Sequence, residues 1–312
     1  MRKLTDSWNR AISEYRYSKW NLCGPKEPVM PWIPPTTPVC LARALKNIGV
    51  TITLQAGENL SDAFEDKGEI AANKYAYEDQ LVYINKGIVA RTPSASRLTG
   101  NKIASLSISP AGRILGGGLD YFFCHPFSTR SYALTKSEVV ICSKKLLNQI
   151  LTSNPVLHQT LHQHFELCHL SNSITLEAIS SLPVTERIKL YLLSWAVYWG
   201  VLLIDETETE WIRIPLPLLR EDFARLISAS RASVDKTFIS WKNEGFVYNE
   251  SPYMFFRSVM IKEMLPWLCV FDEYRGSYRN NLTFEDIMPM RSMASQDINS
   301  MESPMNEVSA HL

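Results

Sequence analysis

The sequence has no excess of charge of either sign. Lys+Arg and Asp+Glu stand at 32 each over 312 residues, so the chain as a whole carries no electrostatic footprint for nucleic acid or membrane, and any surface for such a partner must be local. It has no paired cysteines either. Cys23, Cys40, Cys124, Cys142, Cys168 and Cys269 are scattered, with no CxxC and no metal-ligand spacing, which argues for a reducing, cytoplasmic setting rather than a disulfide framework. The opening MRKLTDSWNRAISEYRYSKW holds basic residues but no apolar segment, so no secretory signal is expected. One apolar run, Ile188 to Ile204, approaches the length of a membrane span but contains Lys189 and Gly200 and falls short of the usual twenty or so residues. It reads as a buried helix running into a turn before DETETE, with a span as the lesser alternative and no membrane partner expected. No nucleophile and base, and no pair of carboxylates, can be assembled from local motifs, so no catalytic residue is assigned. A ligand-binding or protein-interaction module is the first rival reading, and an enzyme whose residues meet only in space the lesser one.

What is present is the profile of a globular protein, 46% hydrophobic and 21% charged, with room for about two domains. Residues 1–46 read as an extension: a short helical segment, then GPKEPVMPWIPPTTP, whose prolines forbid helix and central strand. Residues 47–153 read as an all-β domain, because VTITL, QLVYINKGIVAR, KIASLSIS, RSYAL and EVVICS are short β-rich runs separated by Gly, Asn, Ser and Pro. Residues 154–182 read as one long helix, with Asn154 as cap and Pro155 at the first helical position. Leu157, Leu161, Phe165, Cys168 and Ile179 fall on one side of it. A helix of roughly 40 Å exceeds what one small domain covers, so a partner helix in a homodimer is expected along Leu157, Leu161, Phe165 and Cys168; packing within the chain is the alternative. Residues 276–312, polar and without a period, are expected to be disordered.

Within residues 183–275, LLREDFARLISASRASVDKTFISWKNEGFV (218–247) has two apolar stripes at helical spacing: Phe223, Leu226 and Ile227, then Val234, Phe238 and Trp241. Ser228-Ala229-Ser230 separates them and Gly245 ends the second. Two short helices on a tight turn, followed by strands, predict a winged helix-turn-helix. On the outward face of the second helix, Asp235, Ile239 and Lys242 lie within about 80° of Arg231, with Ala232 at the edge and Lys236 beyond. Arg231 in the first turn suits a bidentate contact to guanine. Pairing with Asp235 on a solvated face is the other reading.

The order of β domain, long helix and winged helix-turn-helix resembles the Crp/Fnr family of bacterial transcription regulators over roughly residues 48–262, most specifically in SASRASVDK with upstream REDFARLI and downstream WKNEGFV. The resemblance implies an α+β chain with an N-terminal cyclic-nucleotide-binding-like jelly roll, a dimerisation helix, and double-stranded DNA and RNA polymerase as partners. It implies DNA-contacting positions at Arg220 (backbone), Arg231, Ala232 and Lys236; Ser230, which opens the helix with Arg231, and Asp235 and Lys242, which share its outward face, complete the candidate set. Two residues depart from the pattern: Ala232 stands where the family carries an acid, which alters the target sequence, and Leu219 stands at the first helix's cap.

LVYINKGIVAR (81–91), PAGRILGGG (110–118) and RSYAL (130–134) resemble the family's nucleotide-binding strands, with Arg130 and Ser131 where an Arg-Ser pair clasps the cyclic phosphate. Gly116, Gly117 and Gly118 stand where the ribose-binding glutamate belongs, so tight cAMP binding is not expected and the glycines read as a tight β turn. No cofactor is assigned. Metal or haem through His158, His162 and His169, which share a stripe of the long helix, is the lesser option.

Overall fold

The computed structural model describes residues 28–66, 80–93, 106–122, 129–205, 207–215, 218–250, 253–268, 270–272, 277–279, 284 and 290–292. The helix expected in the first twenty residues, together with Cys23, Cys124 and Cys269, lies outside them. The chain divides into two compact units between Ser173 and Ile174.

The first unit contains α1 (Val39–Ile48), β1 (Val50–Leu54), α2 (Leu60–Asp66), β2 (Gln80–Lys86), β3 (Ile88–Pro93), β4 (Ser107–Pro110), β5 (Arg113–Ile114), α3 (Gly117–Phe122), β6 (Thr129–Ala133), β7 (Ser137–Ser143), α4 (Lys144–Ser153) and the start of α5 (Pro155–Ser181). Its strands form two antiparallel sheets, β1-β7-β2-β5 and β4-β3-β6. β2 and β7 pair with Tyr83 opposite Val140 and Val82 opposite Ile141, and both are apolar on consecutive residues because both faces are covered. Val82, Ile84, Val139 and Ile141 pack with Ile52, Val89 and Ala133. Leu81, Tyr83, Val140 and Cys142 turn the other way, against Leu41 and Leu45 of α1, Leu147 and Leu151 of α4, and Leu157, Leu161 and Phe165 of α5. Strand periodicity of two thus feeds two separate apolar layers.

The tether expected for residues 1–46 is core structure from residue 28 onward. Met30, Ile33, Leu41 and Leu45 are fully buried, and the Ser171 hydroxyl of α5 donates to the Ile33 carbonyl at 3.3 Å. Prolines exclude regular structure, but they do not keep the apolar side chains between them out of a core. α4 is likewise an element that the strand-rich reading of this region missed.

The second unit contains the end of α5, α6 (Val184–Trp199), β8 (Val201–Ile204), β9 (Glu210–Pro215), α7 (Arg220–Leu226), α8 (Arg231–Asn243), β10 (Val247–Glu250), β11 (Tyr253–Arg257), α9 (Val259–Lys262), β12 (Val270–Asp272), β13 (Ser277–Arg279) and β14 (Met290–Ser292). Residues Leu190 to Val197 of α6 are all buried, as a helix apolar on every side must be. It stops at Trp199, and the rest of the apolar run, after Gly200, is strand β8. Among the described residues no helix is long and apolar enough to cross a membrane. The sheet runs β10-β11-β9-β8-β14. Its last strand corrects the expectation of a disordered tail at those residues: Met290 to Ser292 run parallel to Leu202 to Ile204, and Ser277 to Arg279 pair with Val270 to Asp272. Backbone pairing needs no side-chain period, so the lack of one in the sequence carried no information here.

Candidate nucleic-acid interface and effector site

Helices α7 and α8 meet at a turn whose backbone is fully engaged. The Ser228 N–H donates to Arg225 and the Ala229 N–H to Ala224, at 3.3 and 2.9 Å. Ser228 sits at φ 55°, a left-handed conformation that costs a side-chain-bearing residue energy. Ser230 then caps α8, its hydroxyl accepting from the Ser233 N–H at 3.1 Å, as a residue at the N-cap should. At the other end Gly245 (φ 72°) donates to the Lys242 carbonyl and Phe246 to that of Trp241, at 3.1 and 2.8 Å, the hydrogen-bond pair of a Schellman stop. Phe223, Leu226, Ile227, Val234, Phe238 and Trp241 are all buried, as the two apolar stripes predict, and Phe223, Phe238 and Trp241 form successive edge-to-face pairs.

The opposite side of α8 is open. Arg231 has a side chain 67% exposed, its Nε 3.5 Å from Oδ2 of the half-buried Asp235. Ser230, Ala232, Lys236 and Lys242 are exposed, and Ile239, on the same face, is 60% exposed. The Arg231–Asp235 pair at helical spacing is therefore formed, but an exposed pair of this kind contributes little and opens at low cost. Beyond α8, β10 and β11 make an antiparallel hairpin, Val247 opposite Phe256, with β11 bonded in turn to β9.

Two arginines behave in ways that sequence patterning did not reveal. Arg187 on α6 donates from Nη1 to the carbonyls of Ile227 and Ser228, at 3.3 and 3.1 Å, and from Nε to Leu182 at 2.8 Å. It thereby clamps the turn that sets α8 against α7, across a sequence separation no local motif spans. Arg220, given a backbone contact by the family resemblance, is half-buried with its guanidinium 3.6 Å from the centre of the Phe238 ring. Its Nη1 is buried with no hydrogen-bond partner, and burial lowers its pKa. The geometry gives it a packing role between α7 and α8.

In the first unit the residues of the expected effector pocket lie on β6 and at the junction of β5 and α3. β6 pairs with β3 through both Arg130 and Ser131, and strand alternation turns Arg130 to solvent and buries Ser131. Gly116 and Gly117 have φ of 72° and 56°, and Gly117 opens the six-residue α3. A Cβ on Gly118 would lie 3.1 Å from Cβ of Phe165, and one on Gly117 3.4 Å from Cβ of Cys168. The glycines thus serve the close approach of α5, whose side chains cover this turn.

Beside them lies a buried polar group that the sequence reading passed over. Arg113 is buried and donates to the carbonyls of Pro34 and Ala111 at 3.1 and 2.7 Å. His164 is wholly buried, its Nε2 3.7 Å from Sγ of Cys168. Desolvation, reinforced by the Arg113 charge, pulls the His164 pKa down to about 3, and burial pushes the Cys168 thiol up to about 12. The histidine is therefore held neutral and the thiol protonated.

The long-helix residues expected on a seam between two copies require correction. Leu157, Leu161, Phe165 and Cys168 are buried inside a single chain, the first three in the core with α1, α4, β2 and β7. An apolar helical stripe shows that a face is covered, not which chain covers it.

No protein-family model matches the chain, and no curated protein matches it by sequence. Solved structures do resemble it. FixK2 from Bradyrhizobium japonicum superposes with a TM-score of 0.51 at 11% identity, covering 70% of this chain and 96% of that one. A mutant of CooA from Carboxydothermus hydrogenoformans gives 0.50 at 13%, covering 71% and 88%. A cyclic nucleotide-binding domain containing protein from Listeria monocytogenes gives 0.50 at 18%, covering 69% and 94%. With its jelly-roll β domain, long helix and helix-turn-helix, the chain has the fold of the Crp/Fnr regulators.

Proposed function

We propose that this protein is a cytoplasmic transcription regulator that binds specific double-stranded DNA as a homodimer through α8, with an effector site that no longer takes cAMP. The observation that carries the reading is α8 itself. It is capped at both ends, buried along Val234, Phe238 and Trp241, and open along Arg231, Asp235 and Lys242, with a two-stranded wing after it. Such a helix presents its first turn to the major groove, where Arg231 reads guanine through O6 and N7 while Lys236, to one side, meets phosphate. Ala232 offers only a methyl group, which suits a thymine contact. RNA polymerase as a further partner follows from the family resemblance alone.

Dimerisation, with Leu157, Leu161, Phe165 and Cys168 committed to the core, falls to exposed residues of α5, among which Leu176 is 68% exposed. Two copies would set their reading helices to half-sites about 34 Å apart. Against cAMP stand the missing carboxylate at Gly117 and the covering of the glycine turn by Phe165 and Cys168.

Fluorescence titration against specific and scrambled duplexes at several salt concentrations tests the reading. Arg231→Ala is expected to cost about 1–3 kcal/mol on the specific site and to relax one base pair per half-site. Lys236→Ala should weaken binding to every sequence and flatten the salt dependence. If Arg231→Ala leaves affinity and preference unchanged, α8 is not the reading element. A second reading, a protein-docking helix, is favoured by the exposed Ile239. It predicts no salt-dependent binding to duplex at all.

A further inference from the structure

Outside the reading helix and the covered glycine turn, α5 carries a chemistry that neither uses. His158 and His162, one helical turn apart, are both exposed. Their rings stand at 78° with centroids 4.6 Å apart, and the two Nε2 atoms face each other at 3.0 Å. At that distance one Nε2 carries the proton and the other accepts it.

Two imidazoles bound to one cation at about 2.0–2.1 Å, with an angle at the metal between square and tetrahedral, hold their nitrogens about 2.9–3.3 Å apart. The observed 3.0 Å lies inside that window. The nitrogen spacing of a chelate is thus present in the resting side chains. Loading it requires that the proton leave the shared Nε2···Nε2 contact, as in a shift of that ring to its Nδ1–H tautomer, and that the two rings turn until both lone pairs converge on one cation.

We propose that His158 and His162 form a bidentate site for a divalent transition-metal cation. Imidazole donors select the later first-row metals, with copper above nickel and zinc in intrinsic affinity, and disfavour magnesium and calcium, which take oxygen ligands. His169 shares the stripe but lies seven residues on, about 10 Å along the axis, out of reach of the same ion. Among the described residues no group of three or more His, Cys, Asp or Glu could hold a metal. The chain therefore supplies two ligands, and the remaining positions are open to water. A cation bridging the two positions ties the first third of α5 into its helical form on its exposed side, about 100° round the helix from Leu157 and Leu161.

The test is calorimetric titration of the full, tag-free chain with Zn²⁺ and with Cu²⁺ in a non-coordinating buffer. One ion per chain is expected, with Cu²⁺ the tighter. His158→Gln and His162→Gln should each weaken binding by roughly 100-fold, because either imidazole binds at the effective concentration that the other fixes. His169→Gln should change nothing. Circular dichroism of each variant checks that the helix persists, and paramagnetic resonance of the Cu²⁺ form should show imidazole nitrogens that both active variants lose. No binding by the wild type overturns the proposal. So does binding of undiminished affinity in both His158→Gln and His162→Gln, which would place the ion on other side chains.

Discussion

The turn at Gly116–Gly118 and the outer face of α8 are the two places where the family resemblance puts function, and they have opposite fates. At the glycine turn the chain's own side chains fill the space: Phe165 and Cys168 approach so closely that a Cβ on Gly118 would crowd the aromatic side chain, while His164 and Arg113 are buried alongside. On α8 the equivalent surface stays bare, with Arg231, Lys236, Ile239 and Lys242 exposed and Val234, Phe238 and Trp241 turned inward. The difference separates two tasks that one polypeptide can lose or keep independently. A cleft closes when neighbouring side chains grow into it; a helix face stays open so long as its cap, its turn and its buried face hold it outward.

The largest expected effect tests the closed half. Leu161 is fully buried against the β domain of its own chain, so Leu161→Glu places a carboxylate in that core and should cost on the order of 3–5 kcal/mol or more, read as loss of the cooperative unfolding transition. A well-folded monomer from this variant would instead return Leu161 to a seam between copies, and the contrast drawn above would break.

Next in size is an acid sensitivity from the same region. His164, with Arg113 and Cys168 facing it, is driven from 6.5 to about 3 by burial. Because the folded value lies below the unfolded one, the unfolded chain takes up the proton first, so stability falls as pH drops through the ordinary histidine range toward about 3. The slope should approach about 1.4 kcal/mol per pH unit. Denaturant unfolding between about pH 6.5 and 4.5, above most carboxylate titration, should show it in the wild type and a shallower slope in His164→Leu. Equal slopes in the two proteins would mean that His164 is not held neutral in a closed interior.

Arg187 sharpens the open half. Its three donations to Leu182, Ile227 and Ser228 fix the turn before α8, so Arg187→Ala should cost about 1.5–3 kcal/mol, the range for hydrogen bonds to a charged group. Arg187→Lys should recover only part, since one ammonium cannot reproduce the fork. Thermal unfolding gives the stability, and the duplex titration shows whether a loosened turn also weakens binding. A silent Arg187→Ala would mean the turn holds itself.

Much of this was legible in the sequence, for identifiable reasons. The bounds of α5, its start on Asn154 with the Leu157 N–H donating to Oδ1 at 3.0 Å, the stop at Gly245 and the buried stripes of α7 and α8 follow from local rules of capping and periodicity. What was not legible depended on long-range geometry. The burial of Met30 and Ile33, the fully buried position of His164, the parallel pairing of β14 with β8, and Arg187 reaching residues some forty positions away leave no local signal. The same limit explains the stripe of Leu157, Leu161, Phe165 and Cys168: its spacing announces a covered face, while the cover came from α1, α4 and the sheet, none of which the stripe itself specifies.

The smallest expected effect concerns strain at Ser228. Its φ of 55° lies where a residue with a Cβ is disfavoured and glycine is not. Its N–H donates to Arg225 and its carbonyl accepts from Arg187; both are backbone groups that a glycine would retain. Ser228→Gly therefore removes local strain without removing a hydrogen bond, at the cost of a more flexible unfolded chain. The two terms nearly offset, and a net stabilisation of about 0.5 kcal/mol is expected, with Ser228→Val, β-branched and more restricted, destabilising by about 1 kcal/mol or more. Since the turn orients α8 without lying on its exposed face, duplex affinity in Ser228→Gly should match the wild type within error. A loss of stability in Ser228→Gly together with a neutral Ser228→Val would show that the left-handed turn does not hold in solution. The clamp by Arg187, and with it the outward setting of Arg231, would then have to be re-examined.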